Sequence, residues 1–223
     1  MHKYKQAVQS YKKNYSVPKI GTKDLDKQKK IVEFNKKLNN YDYGFLLDGK
    51  RLVGFDLDFN KYKTIDPKDF AKHKVGVCWD YVEYESYYFD KYLNMIFTSY
   101  KLIKNNTFSM YYMQHIDKDG DMPTHTWLGY KLNDTIYSFE SSWKSIRGIK
   151  SHESETKMLD YYRSQQEDYY NKTNNKLGKY IIIKYLPLDE YNLSPDQYMK
   201  KVFKTGVIVQ STIRSYPVNI KLD

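Results

Sequence analysis

The chain has 223 residues, of which 40% are hydrophobic and 29% charged, a balance that predicts a folded domain rather than a disordered chain. Its single cysteine excludes an intrachain disulfide and a Cys-x-x-Cys metal site. No stretch reaches the roughly 18 apolar residues of a membrane span, and residues 1–15 contain no apolar run typical of a secretory signal. We therefore expect a cytoplasmic protein, although secretion after removal of a signal would leave the same sequence.

The formal net charge of +10 is concentrated near the N-terminus. Residues 1–40 contain eleven lysines against three acidic residues, whereas the rest of the chain is nearly neutral. We interpret residues 1–40 as a basic N-terminal arm and helix, and residues 41–223 as the main domain. A basic arm suits nucleic acid, an anionic membrane surface or an acidic polymer. A solvated helix that covers the core is the simpler interpretation, so nucleic acid is not the expected partner.

The first third of the chain carries signals for a helix, a hairpin and a second, short helix. Apolar residues recur at helical spacing within residues 22–39. Two apolar runs flank Asp48-Gly49, a dipeptide that favours a tight hairpin because both residues tolerate positive φ. Asp66 followed by Pro67 is typical of a helix start, with the aspartate as the cap.

The middle of the chain predicts one long helix followed by three strands. Apolar residues at helical spacing predict a helix from about residue 77 to 98, with Cys78, Val82, Phe89, Leu93 and Ile96 on its buried face. Glu85 lies on the same face, so we expect its carboxyl group to be neutral, or paired with a neighbouring strand. Three runs then predict an antiparallel meander, over residues 107–116, 124–130 and 135–140.

The last third predicts a polar helix over residues 151–172 and an apolar strand over residues 180–185. A final helix capped by Ser194 and an edge strand over residues 207–209 follow. The acidic run Asp117–Asp121 lacks the remaining ligands of a calcium loop, so we interpret it as a turn.

Cys78 is the candidate nucleophile, because it starts the central helix, where the helix N-terminus favours thiolate over thiol. His125 lies near the start of the second meander strand, and Glu140 ends the third. If Tyr130 pairs with Thr135 in the simplest hairpin, His125 lies directly across from Glu140. The carboxylate would then orient the imidazole, and the imidazole would meet the thiol.

Alternative assignments exist for each of these residues. A lone cysteine in an apolar setting is commonly a small buried core residue. His115, on the neighbouring strand, is a rival base, whereas we expect His73 and His152 to be exposed loop or helix residues. We expect the three tryptophans near these candidates to pack around the site, namely Trp79, Trp127 and Trp143. Of these, Trp127 or Trp143 also suits a cleft wall.

Three short motifs resemble the core of the transglutaminase-like superfamily, which belongs to the papain-like cysteine enzymes. They are Gly76-Val77-Cys78-Trp79, the His-x-Trp at 125–127, and Glu140 shortly before Trp143. The resemblance covers about residues 66–150 and is greatest to small bacterial members that carry a similar Arg147-Gly148-Ile149. It implies a catalytic triad of Cys78, His125 and Glu140, with no metal and no organic cofactor.

The resemblance further implies an α+β, cysteine-proteinase-like fold in residues 41–223, with a central helix packed on an antiparallel sheet. Two departures from the family pattern are visible. The acid is a glutamate where transglutaminases usually have an aspartate, and no glutamine shortly precedes Cys78 to donate to an oxyanion. The backbone N–H of Cys78 is one candidate donor, and the side-chain donor stays unassigned.

We expect cysteine-dependent acyl transfer on an amide or ester through a thioester, with water as the acceptor. Such a peptidase or amidase would act on a protein or peptide. Transfer to an amine, as in a protein transglutaminase, uses the same triad and stays open. A different class also stays open, a catalytically inactive binding module whose basic arm contacts a polyanion. The sequence does not predict the oligomeric state.

Overall fold

The computed structural model describes residues 22–54, 57–99, 103–116, 123–171 and 179–212. Over these residues the chain is a mixed α+β protein with five α-helices. The helices are α1 (Thr22–Leu38), α2 (Pro67–His73), α3 (Cys78–Leu93), α4 (Glu155–Asn171) and α5 (Pro195–Thr205). The strands are β1 (Asp42–Leu47), β2 (Lys50–Val53), β3 (Val75–Gly76), β4 (Ile96–Phe97), β5 (Thr107–Ile116), β6 (Thr124–Leu132), β7 (Thr135–Glu140), β8 (Gly148–His152), β9 (Lys179–Tyr185) and β10 (Val207–Ser211).

The strands form a large sheet and a small one. The large sheet has the order β10-β9-β5-β6-β7-β8, all antiparallel, with the short β4 beside β5 in parallel. The predicted meander is therefore confirmed as β5, β6 and β7. The small sheet has the order β2-β1-β3, and its β1–β3 pair is parallel. That pair brings β1 alongside the segment that leads into Cys78.

Both faces of the large sheet are buried, which follows from the alternation of side chains along its central strands. On β5, Met110 and Tyr112 belong to the core cluster that contains α3, whereas Tyr111 and Met113 belong to a second cluster with residues of α4. The sheet thus separates two apolar layers. The predicted apolar face of α1 is also confirmed, since Ile31, Phe34 and Leu38 lie in the α3 cluster.

The local signals in the first third of the chain are confirmed. The β1–β2 hairpin turns at Asp48 and Gly49, both with positive φ, and Leu47 pairs with Lys50. Asp66 caps α2 by accepting a hydrogen bond from the backbone N–H of Lys68 at 2.7 Å. In the last third, Ser194 caps α5, and the strands predicted over residues 180–185 and 207–209 are β9 and β10.

Two predicted helices are wrong at one end. The central helix ends at Leu93 rather than near residue 98, because Asn94 adopts the left-handed conformation and closes the last turn. Ile96, predicted on the buried face, lies instead on the edge strand β4 and is 65% exposed. The helix predicted from residue 151 begins only at Glu155, because the preceding residues form β8 at the edge of the large sheet.

Several predictions fall outside the described residues. These are the fold of residues 1–21 of the basic arm, the turn at Asp117–Asp121 and the end of the hairpin run at Phe55. Within the described residues, α1 packs onto the main body, with the Phe34 ring stacked on Tyr88 at 3.7 Å between centroids. No helix in the described ranges is long and apolar enough to cross a membrane.

Candidate active site

Cys78 is the first residue of α3 and is held there by a capping carboxylate. Val77 is the extended N-cap residue, and its backbone N–H donates to Asp80 Oδ2 at 2.9 Å. The thiol is buried, with 6% of the residue exposed. This confirms the predicted position at the first helical turn, where the N–H groups of the helix have no intrahelical partner and carry partial positive charge.

Asp80 fixes the entry of the chain into α3. Its Oδ1 accepts from the Tyr62 hydroxyl and from the backbone N–H of Ile65, both at 2.9 Å. Burial raises the pKa of Asp80 to about 7, although these donors and the Val77 N–H act in the opposite direction. Asp80 was not among the predicted site residues. An acidic residue at the third helical position is itself a capping signal, and Cys78-Trp79-Asp80 displays it.

The β6–β7 hairpin brings His125 and Glu140 together in a register that differs from the predicted one. Tyr130 pairs with Tyr137 rather than with Thr135, and the strands close through a two-residue turn at Asn133 and Asp134, both with positive φ. The predicted direct opposition of His125 and Glu140 is therefore wrong by two residues. A shift of two keeps every side chain on its own face. The pair meets diagonally, with His125 Nε2 2.7 Å from Glu140 Oε2.

Glu140 ends β7, and the loop that follows wraps around its carboxylate. Oε1 accepts from the backbone N–H and the hydroxyl of Ser142, at 2.8 and 2.9 Å, and from the backbone N–H of Trp143 at 2.7 Å. Oε2 is bound to His125. The residue is 2% exposed. Burial of a carboxylate is costly unless hydrogen bonds compensate it, and these four donors supply that compensation.

His125 connects the carboxylate to the thiol. Burial alone would lower the pKa of His125, but the Glu140 carboxylate and a hydrogen bond with the Cys78 side chain raise it to about 10. Because Glu140 occupies Nε2, Nδ1 is the ring nitrogen left for the thiol. The described residues thus bring all three predicted site residues together, as Cys78, then His125, then Glu140. The Glu140 carboxylate thus favours the imidazolium form of His125.

Aromatic rings surround the imidazole, and the predicted packing of Trp127 and Trp143 around the site is confirmed, whereas the Trp79 ring stacks on Tyr198 at 4.4 Å. The Trp143 ring meets the His125 ring edge to face at 5.0 Å. Trp127 is 1% exposed and stacks between Tyr111 and Tyr162, at 5.3 and 4.0 Å, so it is a packing residue rather than a cleft wall. This apolar shell keeps water from the His125–Glu140 pair, which strengthens their attraction.

The other histidines occupy different environments. His115 is fully buried, with its ring 5.7 Å from Tyr180, and burial lowers its pKa to about 4, with Arg163 acting in the same direction. His73 ends α2 and is half-buried. His152, expected in a loop or helix, lies instead on β8, with Nε2 2.8 Å from the Ser138 hydroxyl.

Two further carboxyl groups of α3, those of Glu83 and Glu85, are also buried. Glu85 accepts from the Ser141 hydroxyl, directly after β7, and burial raises its pKa well above its usual range. Glu85 was expected to bond a neighbouring strand, and its partner is Ser141, the first residue after β7. Glu83 accepts from the backbone N–H of Leu188 at 3.1 Å, and burial raises its pKa to about 8.

Comparison with models of known protein families and with curated proteins finds no match to this chain. Within the described ranges, no three histidine, cysteine, aspartate or glutamate side chains are grouped so that they could hold a metal ion.

Proposed function

We propose that this protein is a cysteine-dependent acyl-transfer enzyme, a peptidase or amidase that uses water as the acceptor. In this proposal the α+β fold is a cysteine-proteinase-like core, related to the transglutaminase-like superfamily. One observation carries the proposal. The His125 ring is bound to Glu140 through Nε2 and is also hydrogen-bonded with the side chain of Cys78, the first residue of a helix.

The arrangement supplies each group that thioester chemistry needs. The imidazolium of His125 and the N-terminus of α3 stabilise the Cys78 thiolate, which attacks the carbonyl carbon of an amide or ester. As the tetrahedral adduct collapses, His125 protonates the leaving amine or alcohol, and the acyl group stays on sulfur as a thioester. Neutral His125 then takes a proton from water, the hydroxide attacks the thioester, and the thiolate leaves with the acid product released.

Glu140 acts through the imidazole. Its Oε2 accepts from Nε2, which fixes the ring and stabilises its protonated form, while the other oxygen is saturated by Ser142 and Trp143. A carboxylate held in this way does not compete for the proton that moves between Nδ1, sulfur and the leaving group. The same triad would transfer the acyl group to an amine, so the acceptor is decided by experiment.

The test is the rate of Cys78 alkylation by iodoacetamide across pH 5 to 9, for the wild type and for His125→Ala. We expect the wild type to react faster at pH 6, because only it has an imidazolium beside the sulfur. Cys78→Ser is the blank for labelling at other sites and should keep its fold. Identical rate profiles for the wild type and His125→Ala would mean that Cys78 is a core residue and that the enzyme proposal is wrong.

The acceptor is tested on the acyl-enzyme itself. Cys78 is acylated with p-nitrophenyl acetate, and the product is followed by mass spectrometry with and without a primary amine. Acetate as the main product in the presence of amine supports hydrolysis. Acetylated amine as the main product would replace the hydrolase with an acyltransferase and leave the triad unchanged.

A further inference from the structure

Tyr43 lies beside the nucleophile, although it is 35 residues earlier in the sequence. In the parallel pair of β1 and β3, Tyr43 is in register with Gly76, two residues before Cys78. The Tyr81 hydroxyl of α3 donates to the backbone carbonyl of Asp42 at 3.3 Å, which ties the helix to the same strand. Both contacts place Tyr43 at the start of α3.

The hydroxyl of Tyr43 interacts with two atoms of Cys78. It hydrogen-bonds with the Cys78 side chain, and it accepts from the Cys78 backbone N–H. Burial raises the pKa of Tyr43 well above its usual range, and the neighbouring Cys78 and Asp80 act in the same direction. The phenol therefore keeps its proton at neutral pH and can act as a hydrogen-bond donor.

Acyl transfer at Cys78 needs donors for the carbonyl oxygen, which becomes an oxyanion in the tetrahedral adduct. The Cys78 backbone N–H is one, since the first N–H groups of a helix lack intrahelical acceptors. No glutamine shortly precedes Cys78, and Lys72 and His73 in that region lie at the C-terminal end of α2. A second donor must come from elsewhere in the fold.

We propose that the hydroxyl of Tyr43 is the side-chain donor of the oxyanion hole, acting together with the backbone N–H of Cys78. This inference rests on the proposed function. An oxygen bonded to the carbon on sulfur, and accepting from the Cys78 N–H, would lie next to the two Cys78 atoms that the Tyr43 hydroxyl now contacts, and so within reach of that hydroxyl. When the substrate carbonyl takes over that N–H, the phenolic O–H is released to donate to the same oxygen.

The step balances without a further reactant. The Cys78 thiolate forms the S–C bond, and the carbonyl π electrons move to oxygen. The resulting oxyanion accepts from Tyr43 O–H and Cys78 N–H, and both donors keep their protons. When the oxyanion reforms the carbonyl, the leaving group departs with a proton from His125, and the two hydrogen bonds return to a neutral carbonyl. The oxyanion that Tyr43 would bind thus arises in acyl transfer and not in alkylation at a saturated carbon.

The test compares two reactions of the same thiol in the full-length protein, for the wild type and for Tyr43→Phe. Acylation by p-nitrophenyl acetate passes through an oxyanion, whereas alkylation by iodoacetamide displaces iodide at a saturated carbon and does not. We expect Tyr43→Phe to acylate about 100- to 1000-fold more slowly, the loss typical of one oxyanion donor, while alkylation changes little. Tyr198→Phe is the matched control. It removes a buried hydroxyl that bonds Tyr185 at 2.7 Å, and both of its rates should match the wild type.

Retained alkylation also shows that Tyr43→Phe is folded, and a thermal melt checks this independently. An equal fall of the acylation and alkylation rates would mean that Tyr43 stabilises the thiolate only. Two unchanged rates would mean that Tyr43 has no role. Either result overturns the inference and leaves the proposed function standing. A wild-type protein that alkylates but does not acylate overturns the proposed function, and the inference with it.

Discussion

Replacing Glu140 by glutamine changes which proton the imidazole carries. The amide oxygen can still accept from the three donors of Ser142 and Trp143, which fixes the amide nitrogen toward His125 Nε2. Two N–H groups cannot face each other, so Nε2 must become an acceptor and the proton must sit on Nδ1. A neutral ring with Nδ1–H cannot take a proton from the thiol. The substitution keeps the shape of the site and reverses the tautomer.

The size of the effect follows from the environment of the ring. Burial lowers the pKa of His125, and Glu140 is the largest of the influences that raise it, to about 10 from an ordinary 6.5. Without that charge, burial remains as the largest influence, so the pKa of His125 should fall well below 10. A hydrogen bond to a charged group contributes about 1.5–3 kcal/mol. We therefore expect Glu140→Gln to alkylate about 10- to 100-fold more slowly at pH 6.

Glu85→Gln is the matched control for Glu140→Gln. Glu85 is also a buried glutamate near the ring, but burial holds its pKa well above its usual range, so glutamine replaces a neutral acid. We expect Glu85→Gln to keep the wild-type alkylation profile. The imidazole of each variant can be titrated by NMR with ¹³C-labelled histidine. A His125 ring that remains protonated at pH 7 in Glu140→Gln, with unchanged alkylation, would refute the assigned role of Glu140.

Two further predictions concern stability. A Cβ at Gly76 would lie 2.5 Å from the Phe70 ring and 2.8 Å from Asp80 Cβ. Gly76→Ala should therefore lower the free energy of unfolding, measured by urea titration, by about 1–3 kcal/mol. An unchanged free energy would show that Phe70 and Asp80 can shift to make room. Burial raises the pKa of Glu83 to about 8 from 4.5, so the folded state holds this proton more tightly, and stability is lost as pH rises from 4.5 to 8. Glu83→Gln should flatten the fall in the free energy of unfolding between pH 5 and 8, by an amount on the order of several kcal/mol, and two parallel curves would contradict this.

The elements that could be predicted are those fixed by neighbours in sequence. The turn at Asp48-Gly49 and the cap at Asp66 depend on backbone preferences of single residues, and both appear where expected. The meander follows from runs of β-forming residues between turns. The end of α3 was mislocated because Ile96 fits the helical period, whereas Asn94 stops the helix through a left-handed backbone that many sequences tolerate.

The site itself was predictable in part, for a reason visible in the hairpin register. The predicted pairing of His125 with Glu140 was wrong by two residues, yet both residues stay on one face, because strand side chains repeat every two positions. An error of one residue would have separated them. The contacts of Tyr43, Asp80 and Ser142 depend on the pairing of distant strands or on loop conformation, and local patterns carry little of that information.

The buried carboxyl groups around α3 show how the fold selects one anion for the site. Glu83 and Glu85 each have one hydrogen-bond donor, and burial raises their pKa values. Asp80 has three donors, but none of them carries a charge. Glu140 has three donors from Ser142 and Trp143 and also the His125 imidazole. A positive charge on that ring offsets the cost of burying the Glu140 carboxylate. Because burial raises the pKa values of Glu83 and Glu85, these two groups add less negative charge near His125, and Glu140 is the carboxylate bonded directly to its ring. In the proposed mechanism, the proton that His125 passes to the leaving group is therefore held on a ring that contacts both Glu140 and Cys78.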